Sequence, residues 1–453
     1  MNYHDENQQK ELPIKRILIL ADFASATGFA NVAQNIVKEL LKDQTVTYQI
    51  DVVGINYHGL PNEWQNIYPR VRVFPATLIS GGDLFGRSGY LSLLSSGAYD
   101  YTWILQDTFN IEPIAQKIRE IRNDLIANGK KSFKYIYYFP IDAKPKENWI
   151  RDVVSLADVP VVYTQYGYKE CLEVDPELVN RLKVIPHGTD ISVFHPIEDK
   201  EAVTKFRHDY FMGRTDNKFL VINVNRNQPR KDIARTLQIF KLFKQQCPDS
   251  VLYLHMKHND VAYDLNEVAR QYQLIPDEDY IVPKDFNEHD GVSFEMMNYI
   301  YNSADAVMTT TLGEGWGLSI TEAMATKTPI IAPDNTSITE ILADGRGILV
   351  PSGKSITDWI ILSGDNERVR PLVSVADFVD KLVKLKQNYK SDDVNNAVEK
   401  AYKYITEELN WDKVGQQWRD LFISSAFKPS AKLGRNDICP VCKIKIKKCQ
   451  HGR

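Results

Sequence analysis

The chain has 453 residues, of which 43% are hydrophobic and 25% are charged, and its formal net charge is −4. This length is sufficient for two large domains and a small appendage, and the composition is ordinary for a globular protein. The slightly negative charge argues against broad, charge-driven binding to nucleic acid, although a local basic patch is still allowed. No apolar run reaches the roughly 18 residues that a membrane span requires.

The N-terminal segment and the cysteines indicate in which cellular compartment the protein is expected. Residues 1–11 are polar and lack the apolar core of a signal peptide. Of the five cysteines, Cys171 and Cys247 are isolated, and the other three lie between residues 439 and 449. This spacing is not that of a disulfide framework. We therefore expect a reduced, cytoplasmic protein.

The first half of the chain opens with a strand–loop–helix pattern. Residues 14–20 form an apolar run typical of a strand buried on both faces of a parallel sheet. A loop of small residues ending at Gly28 then leads into helical apolar spacing at 29–41. Such a βα unit places Gly28 near a ligand cleft, although a plain connection is about as compatible with a single glycine.

The following elements alternate between strand and helix. Residues 81–97 are rich in Gly and Ser and predict a flexible loop over the cleft. Asp142 follows an apolar run, so it lies at a strand end, where its carboxylate orients an acceptor hydroxyl or caps a turn. The alternation predicts a doubly wound α/β domain, to which we assign residues 1–188. Further strand-like runs lie at 48–53, 101–105, 135–139 and 159–163, with a helical pattern at 111–126.

A second α/β domain, assigned to residues 189–407, opens with a strand at 219–224. Three cations, Arg226, Arg230 and Lys231, follow this strand. Because ligands bind at the carboxyl edge of parallel sheets in open α/β folds, these cations are candidates for phosphate binding. Arg226 can hold a phosphate through two parallel hydrogen bonds, Lys231 adds a point charge, and Arg230 can substitute for either. An ordinary solvated basic loop is the alternative.

The central motif of the chain runs from Glu314 to Glu322, through Gly315, Trp316, Gly317 and Leu318. The two glycines let the backbone approach a ligand without a Cβ in the way. A helix that begins near Leu318 directs unpaired N–H groups and a positive dipole end toward an anion. Glu322 lies about one turn inside that helix and can reach a polar group on the same ligand. This arrangement suits a nucleotide-sugar, while solvated glutamates on a surface helix are the alternative.

Together with its flanks, 304–308 and 328–332, this Glu-x7-Glu motif resembles that of the retaining family-4 glycosyltransferases of the GT-B type. The resemblance extends from about Arg226 to Val350. It implies two doubly wound Rossmann-like domains that face each other across a cleft. It also implies that segment 184–196 is the interdomain hinge and that helix 408–424 crosses back onto the first domain. No role follows for the apparent insertion at 352–371.

The resemblance also implies roles for individual residues. Arg226 and Lys231 correspond to the clamp that holds the donor diphosphate, which in this family acts without a divalent metal. Glu314 corresponds to the residue that binds donor-sugar hydroxyls, and Glu322 to the residue that holds the ribose. The backbone after Val282 falls where relatives hold the nucleobase. Gly28 corresponds to a loop beside the donor phosphate or the acceptor, although Thr27-Gly28 replaces the usual double glycine.

The C-terminal tail, residues 434–453, carries four soft ligands at Cys-x2-Cys-x6-Cys-x-His spacing. They are Cys439, Cys442, Cys449 and His451. Three thiolates and one imidazole suit a tetrahedral zinc ion, and a complete protein ligand set indicates a structural rather than a catalytic site. The tail resembles the SEC-C motif, although two of its spacings differ. Its lysines suit docking to an acidic macromolecular partner or to phosphate.

The resulting prediction is a retaining glycosyltransferase that uses a UDP- or GDP-sugar donor and a catalytic group of Arg226, Lys231, Glu314 and Asp142. The acceptor is open: saccharide, lipid, protein, small molecule and modified nucleic-acid base all fit. One alternative is a nucleotide-sugar epimerase or phosphorylase on the same fold. The other is a non-catalytic adaptor that docks through its zinc tail.

Overall fold

The computed structural model describes residues 12–283 and 291–425. The first domain is a seven-stranded, wholly parallel sheet of order β3-β2-β1-β4-β5-β6-β7. Its strands are β1 (Ile14–Asp22), β2 (Thr47–Ile55), β3 (Val71–Pro75), β4 (Tyr101–Leu105), β5 (Lys134–Phe139), β6 (Val159–Val162) and β7 (Lys183–Val184). Its helices are α1 (Gly28–Leu41), α2 (Trp64–Ile67), α3 (Ala76–Ile79), α4 (Arg87–Ser95), α5 (Thr108–Ala127) and α6 (Gln165–Val174).

The apolar runs form strands because both faces of the sheet are covered. Along β1, Ile17 and Ile19 belong to one hydrophobic core, and Leu18 and Leu20 belong to the core on the opposite face. All four side chains are fully buried. A strand covered on both faces requires an unbroken apolar run rather than an alternating one, as the sequence indicated.

The second domain repeats this plan with a six-stranded parallel sheet of order β10-β9-β8-β11-β12-β13. Its strands are β8 (Phe219–Val224), β9 (Ser250–His255), β10 (Tyr280–Ile281), β11 (Ala306–Met308), β12 (Ile330–Pro333) and β13 (Ile348–Val350). A separate antiparallel hairpin contains β14 (Trp359–Ile361) and β15 (Val369–Pro371). The helices are α7 (Lys200–Tyr210), α8 (Ile233–Gln246), α9 (Leu265–Gln271), α10 (Phe294–Ser303), α11 (Leu318–Ala325), α12 (Thr336–Ile341), α13 (Val375–Gln387), α14 (Asp392–Glu407) and α15 (Trp411–Ser424).

The last helix, α15, lies on the first domain rather than on the second. The Tyr101 hydroxyl on β4 donates to the Phe422 carbonyl at 2.9 Å. Arg419 pairs with the buried carboxylate of Glu39 on α1 at 2.5 Å. At the crossover between domains, the Thr189 N–H donates to the Leu409 carbonyl at 2.6 Å. The chain therefore passes between the domains twice, near 184–196 and again near 409.

One sequence-based prediction for the first domain is wrong. Residues 81–97 do not form a flexible loop throughout, because Arg87–Ser95 is helix α4. Tyr90 and Leu94 on this helix are fully buried in the first-domain core, and the Tyr90 hydroxyl hydrogen-bonds Thr102 at 2.6 Å. Burial of this apolar face stabilises a helix whose glycine and serine content alone favours a loop.

Within the described ranges, no helix is long and apolar enough to cross a membrane.

Candidate functional site

The candidate site lies where the carboxyl ends of the two parallel sheets approach each other. The segment after β5 in the first domain contacts the loop that leads from β11 to α11 in the second. A Cβ on Gly315 would lie only 2.6 Å from the Cβ of Pro140. In this structure, Gly315 therefore permits the close approach of the two domains.

Glu314 is the centre of the charge arrangement on the second-domain side. Its carboxylate is 8% exposed and pairs with Lys231, and with Arg230 at 3.2 Å. Burial opposes ionisation, but Lys231 and Arg230 outweigh it and lower the pKa of Glu314 to about 2. The same burial lowers the pKa of Lys231 to about 8, although Glu314 opposes that change. The structure thus holds an ionised glutamate between two cations at the carboxyl edge of the sheet.

The structure divides the three cations differently from the sequence-based expectation. Arg230, considered a substitute, joins Lys231 at Glu314 and also donates to the Gly313 carbonyl at 2.5 Å. Arg226 is exposed and pairs with Asp260 at 2.8 Å. The geometry therefore brings Lys231 together with Arg230 rather than with Arg226. The sequence showed that Arg230 follows β8. It did not show the direction in which the three-residue helical turn at 229–231 places the Arg230 side chain.

Two helix N-termini face each other across the cleft. Gly317 precedes α11 with a φ of 111°, which a residue with a Cβ rarely adopts, so glycine is required there. Gly28 begins α1, and a Cβ at that position would lie 3.0 Å from the Leu318 side chain at the start of α11. The positive ends of α1 and α11 therefore converge, and each directs N–H groups that the helix itself does not pair.

Glu322 lies one turn inside α11 and accepts a hydrogen bond from the Tyr301 hydroxyl at 2.8 Å. Burial raises the pKa of Glu322 to about 7, and the bond from Tyr301 opposes this effect. Glu322 also lines an interdomain cavity of about 140 Å³, together with Asn31, Leu318 and Thr321. Glu322 is thus a half-buried carboxyl group with a raised pKa at the edge of this cavity.

The Trp316 side chain packs into an aromatic cluster. Its ring meets that of His187 with centroids 5.5 Å apart, and His187 in turn meets Tyr163 at 4.2 Å. All three side chains are buried, and burial lowers the pKa of His187 to about 3. Trp316 therefore anchors the glycine loop to the segment between the domains, and only its backbone remains available to a ligand.

Asp142 lies among three arginines, which the sequence did not indicate. Its carboxylate pairs with Arg368 at 2.5 Å, with Arg230 at 3.2 Å and with Arg370 at 3.3 Å. Burial raises its pKa, but these three arginines outweigh that effect and hold the pKa well below its usual range. The group is an ionised bridge between the domains. Local sequence could not show this, because its hairpin partners lie more than 220 positions away.

Asp107 is a carboxyl group that the sequence analysis missed. It follows β4 at the same sheet edge as Asp142, and it is the residue that precedes α5. Burial, supplemented by the charge of Asp142, raises its pKa to about 7, while Arg230 and Arg368 oppose this. Its neighbour Gln106 donates to Asp22, which ends β1, at 3.3 Å. A polar pair directly after the apolar run 101–105 was the available signal.

The remaining predicted positions are only partly described. Val282 follows β10 and lines a cavity of about 260 Å³ with His258, Tyr280 and Pro283. No cluster of His, Cys, Asp and Glu suited to a metal ion occurs among the residues that the structure describes. The predicted zinc ligands Cys439, Cys442, Cys449 and His451 lie outside those residues.

Comparisons with known proteins agree with this architecture. A sucrose-phosphate synthase from Thermosynechococcus elongatus superposes with a TM-score of 0.66 at 14% identity, covering 91% of this chain and 99% of that one. Anabaena Alr3699/HepE, solved with UDP and glucose, gives 0.63 at 15% identity, covering 90% and 100%. These superpositions show the GT-B fold, in which two Rossmann-like domains face each other.

A match to a known family lies in the second domain. Residues 211–367 match the family Glycosyl transferases group 1. The match includes all six strands of the second-domain sheet, β8 to β13. A probable sucrose-phosphate synthase from Thermosipho melanesiensis is 23% identical over 262 residues, which is 57% of this chain and 51% of that protein. The chain spans about half the length of the curated relatives it matches.

Proposed function

We propose that the protein transfers a sugar from a nucleoside diphosphate sugar to an acceptor hydroxyl, with retention of the anomeric configuration. The observation that carries this proposal is the pairing of the half-buried cations Arg230 and Lys231 with buried Glu314, in the loop that leads to the N-terminus of α11, which converges with that of α1. Sugar transfer leaves a diphosphate on which negative charge develops. Fixed cations and helix-terminal N–H groups are the features that stabilise such a leaving group.

The donor would be held by both sides of the cleft. Lys231 and Arg230 contact the diphosphate from their positions at Glu314. Arg226, which the family resemblance assigns to the diphosphate clamp, reaches the diphosphate by exchanging its partner Asp260 for phosphate. Glu314 then accepts hydrogen bonds from sugar hydroxyls. Glu322 accepts them from the ribose. The remaining contacts are assigned to backbone near Gly28, Val282, Gly315, Trp316, Gly317 and Leu318.

A UDP- or GDP-sugar is the donor we assign. The complexes of Anabaena Alr3699/HepE with UDP and with UDP-glucose support a nucleotide-sugar in this fold. Because cations of the protein itself neutralise the diphosphate, we propose that transfer needs no divalent metal. On the acceptor side, Asp142 is committed to three arginines, so we assign the acceptor hydroxyl to Asp107 instead.

The tail is proposed to be an independent zinc-binding module of a cytoplasmic, reduced protein. Its donor set, three thiolates and one imidazole, fits a structural zinc ion, with all four positions supplied by protein. A metal would order a segment that is too short to build a hydrophobic core. The lysines around the ligands suit attachment to an acidic macromolecular partner.

The proposed function is tested by incubating the full chain in EDTA with UDP- and GDP-sugars and a panel of acceptors. Mass spectrometry should detect a sugar added to one acceptor and an equal amount of released nucleoside diphosphate. Conversion of a UDP-sugar without an acceptor would instead indicate an epimerase. A requirement for orthophosphate would indicate a phosphorylase. Failure to bind UDP or GDP would instead favour a non-catalytic adaptor.

A further inference from the structure

The hairpin of β14 and β15 carries two arginines that belong to the interdomain contact. It lies within segment 352–371, for which neither the sequence nor the family resemblance supplies a role. Its first strand is exposed along its length, whereas Arg370 on the second strand, paired in register with Ile360, is fully buried. A surface hairpin that buries a guanidinium must provide that charge with partners, because an unpaired buried charge is costly.

One of these partners is supplied by the hairpin itself. Asp365, in the turn between the strands, accepts from Arg370 at 2.6 and 3.0 Å and from Arg368 at 2.8 Å. Both guanidinium groups are therefore oriented by a carboxylate of the same hairpin. This orientation does not depend on contact with the first domain.

The second partner comes from the first domain. Arg368 donates to the Asp142 carboxylate at 2.5 Å, and Arg370 donates to the same carboxylate at 3.3 Å and to the Asp142 carbonyl at 2.5 Å. Lys146 and Glu367 add an exposed ion pair at 2.5 Å beside these contacts. The hairpin thus holds the end of a first-domain strand by both its side chain and its backbone.

Asp142 connects the hairpin to the candidate site. Its carboxylate contacts Arg230 at 3.2 Å, and Arg230 contacts the Glu314 carboxylate at 3.2 Å. Two ion pairs therefore separate the hairpin from Glu314. Arg230 lies between an anion of each domain, and loss of Asp142 from its place would remove the first-domain ion pair that orients the guanidinium.

We propose that Arg368 and Arg370 are positioning residues for the transfer reaction. They hold Asp142 across the cleft, and Asp142 holds Arg230 in the orientation that serves the donor diphosphate. This inference rests on the proposed function, since it assigns Arg230 to the same leaving group. It goes beyond that function by making the hairpin part of the catalytic arrangement, although neither arginine touches the substrate.

The main test compares kcat and KM in a set of hairpin variants. Arg368→Gln should lower kcat by about tenfold or more, because a misplaced charge loses transition-state stabilisation, while the donor KM changes less. Arg368→Lys should recover part of kcat. Lys354→Gln is the matched control, because Lys354 is an exposed cation of the same segment that pairs with Asp334 at 3.3 Å. It should leave kcat unchanged.

A double variant separates positioning from general stabilisation. If Arg368 acts through Asp142, the double variant Arg368→Gln/Asp142→Asn should lose no more kcat than the more damaging single variant. Losses that multiply would overturn the proposed route through Asp142. A parent-like kcat in Arg368→Gln, or a loss only of thermal stability, would overturn the positioning role.

A measurement without substrate keeps this inference separate from the proposed function. The Gln165 N–H donates to the Glu340 carboxylate of the second domain at 2.8 Å, so its hydrogen exchange reports the interdomain contact. Arg368→Gln should accelerate this exchange, and Lys354→Gln should not. If the parent transfers no sugar, the proposed function fails. Gln165 exchange that is unchanged in Arg368→Gln would show, independently of any activity, that Arg368 does not hold Asp142 in place.

Discussion

The half-buried carboxyl group of Glu322 permits a prediction in which stability and function change in opposite directions. Burial raises the pKa of this group from 4.5 to about 7, so the folded protein retains a proton that the unfolded chain releases. A difference of one in pKa corresponds to about 1.4 kcal/mol, so ionised Glu322 costs the fold roughly 3 kcal/mol at pH 8. Because the raised pKa belongs to an acid, this cost is absent well below pH 4.5 and complete above about pH 7.

Glu322→Gln removes the ionisable group and keeps an oxygen that can accept from Tyr301, whose hydroxyl lies 2.8 Å from Glu322. The variant should therefore unfold at a higher temperature than the parent at pH 8, with most of that advantage gone at pH 5. It should also bind UDP or GDP more weakly at pH 8, because a neutral amide accepts less strongly from ribose hydroxyls.

The assay is calorimetric unfolding at both pH values, combined with titration of free UDP and GDP. Glu295→Gln is the control, since Glu295 is an exposed glutamate on α10, the same helix as Tyr301. A variant that is destabilised equally at pH 8 and pH 5 would refute the assignment of a costly buried charge. Parent-like nucleotide affinity would refute the ribose contact.

Three further predictions concern the donor site and the tail. Glu314→Ala should spare binding of free UDP or GDP but weaken the intact sugar donor, whereas Glu322→Ala should weaken both; calorimetry that shows parent-like diphosphate binding by both variants would contradict this division. Burial lowers the pKa of Lys231 to about 8, so kcat/KM should fall as pH rises through about 8. In Lys231→Arg the side chain stays charged, so this fall should disappear. A pH profile of kcat/KM that falls at the same pH in Lys231→Arg as in the parent would contradict the assignment. Truncation after Ser430 should abolish zinc binding, measured by elemental analysis, and leave turnover on a small acceptor intact; a full chain without zinc, or a large loss of rate, would contradict it.

The fold was largely predictable because its signals are local. Buried parallel strands such as β1 and β8 require continuous apolar runs, and the helix after the glycine loop has regular apolar spacing. The GT-B arrangement then followed from the family resemblance around Glu314. Helix α4 was missed because its stability comes from burial of Tyr90 and Leu94 against distant elements, which its own composition does not show.

The candidate site was predictable in part only. Sequence motifs singled out Lys231, which follows β8, and Glu314, which follows β11, and the structure brings these two residues together at one sheet edge. The sequence did not identify which arginine pairs with Glu314, because Arg226 and Arg230 both follow β8. Only the helical turn at 229–231 distinguishes the directions of their side chains. The contact of Asp142 with the hairpin depends on the docking of two domains, so no local pattern reveals it.

The central claim is that the cations beside Glu314 stabilise a departing diphosphate, and the kinetics of Lys231→Ala test it most directly. Transfer should be measured in EDTA with the donor selected from the UDP- and GDP-sugar panel. Because the charge on the diphosphate grows in the transition state, the variant should lose kcat by about a hundredfold while its donor KM changes less. A parent-like kcat in Lys231→Ala would contradict the account.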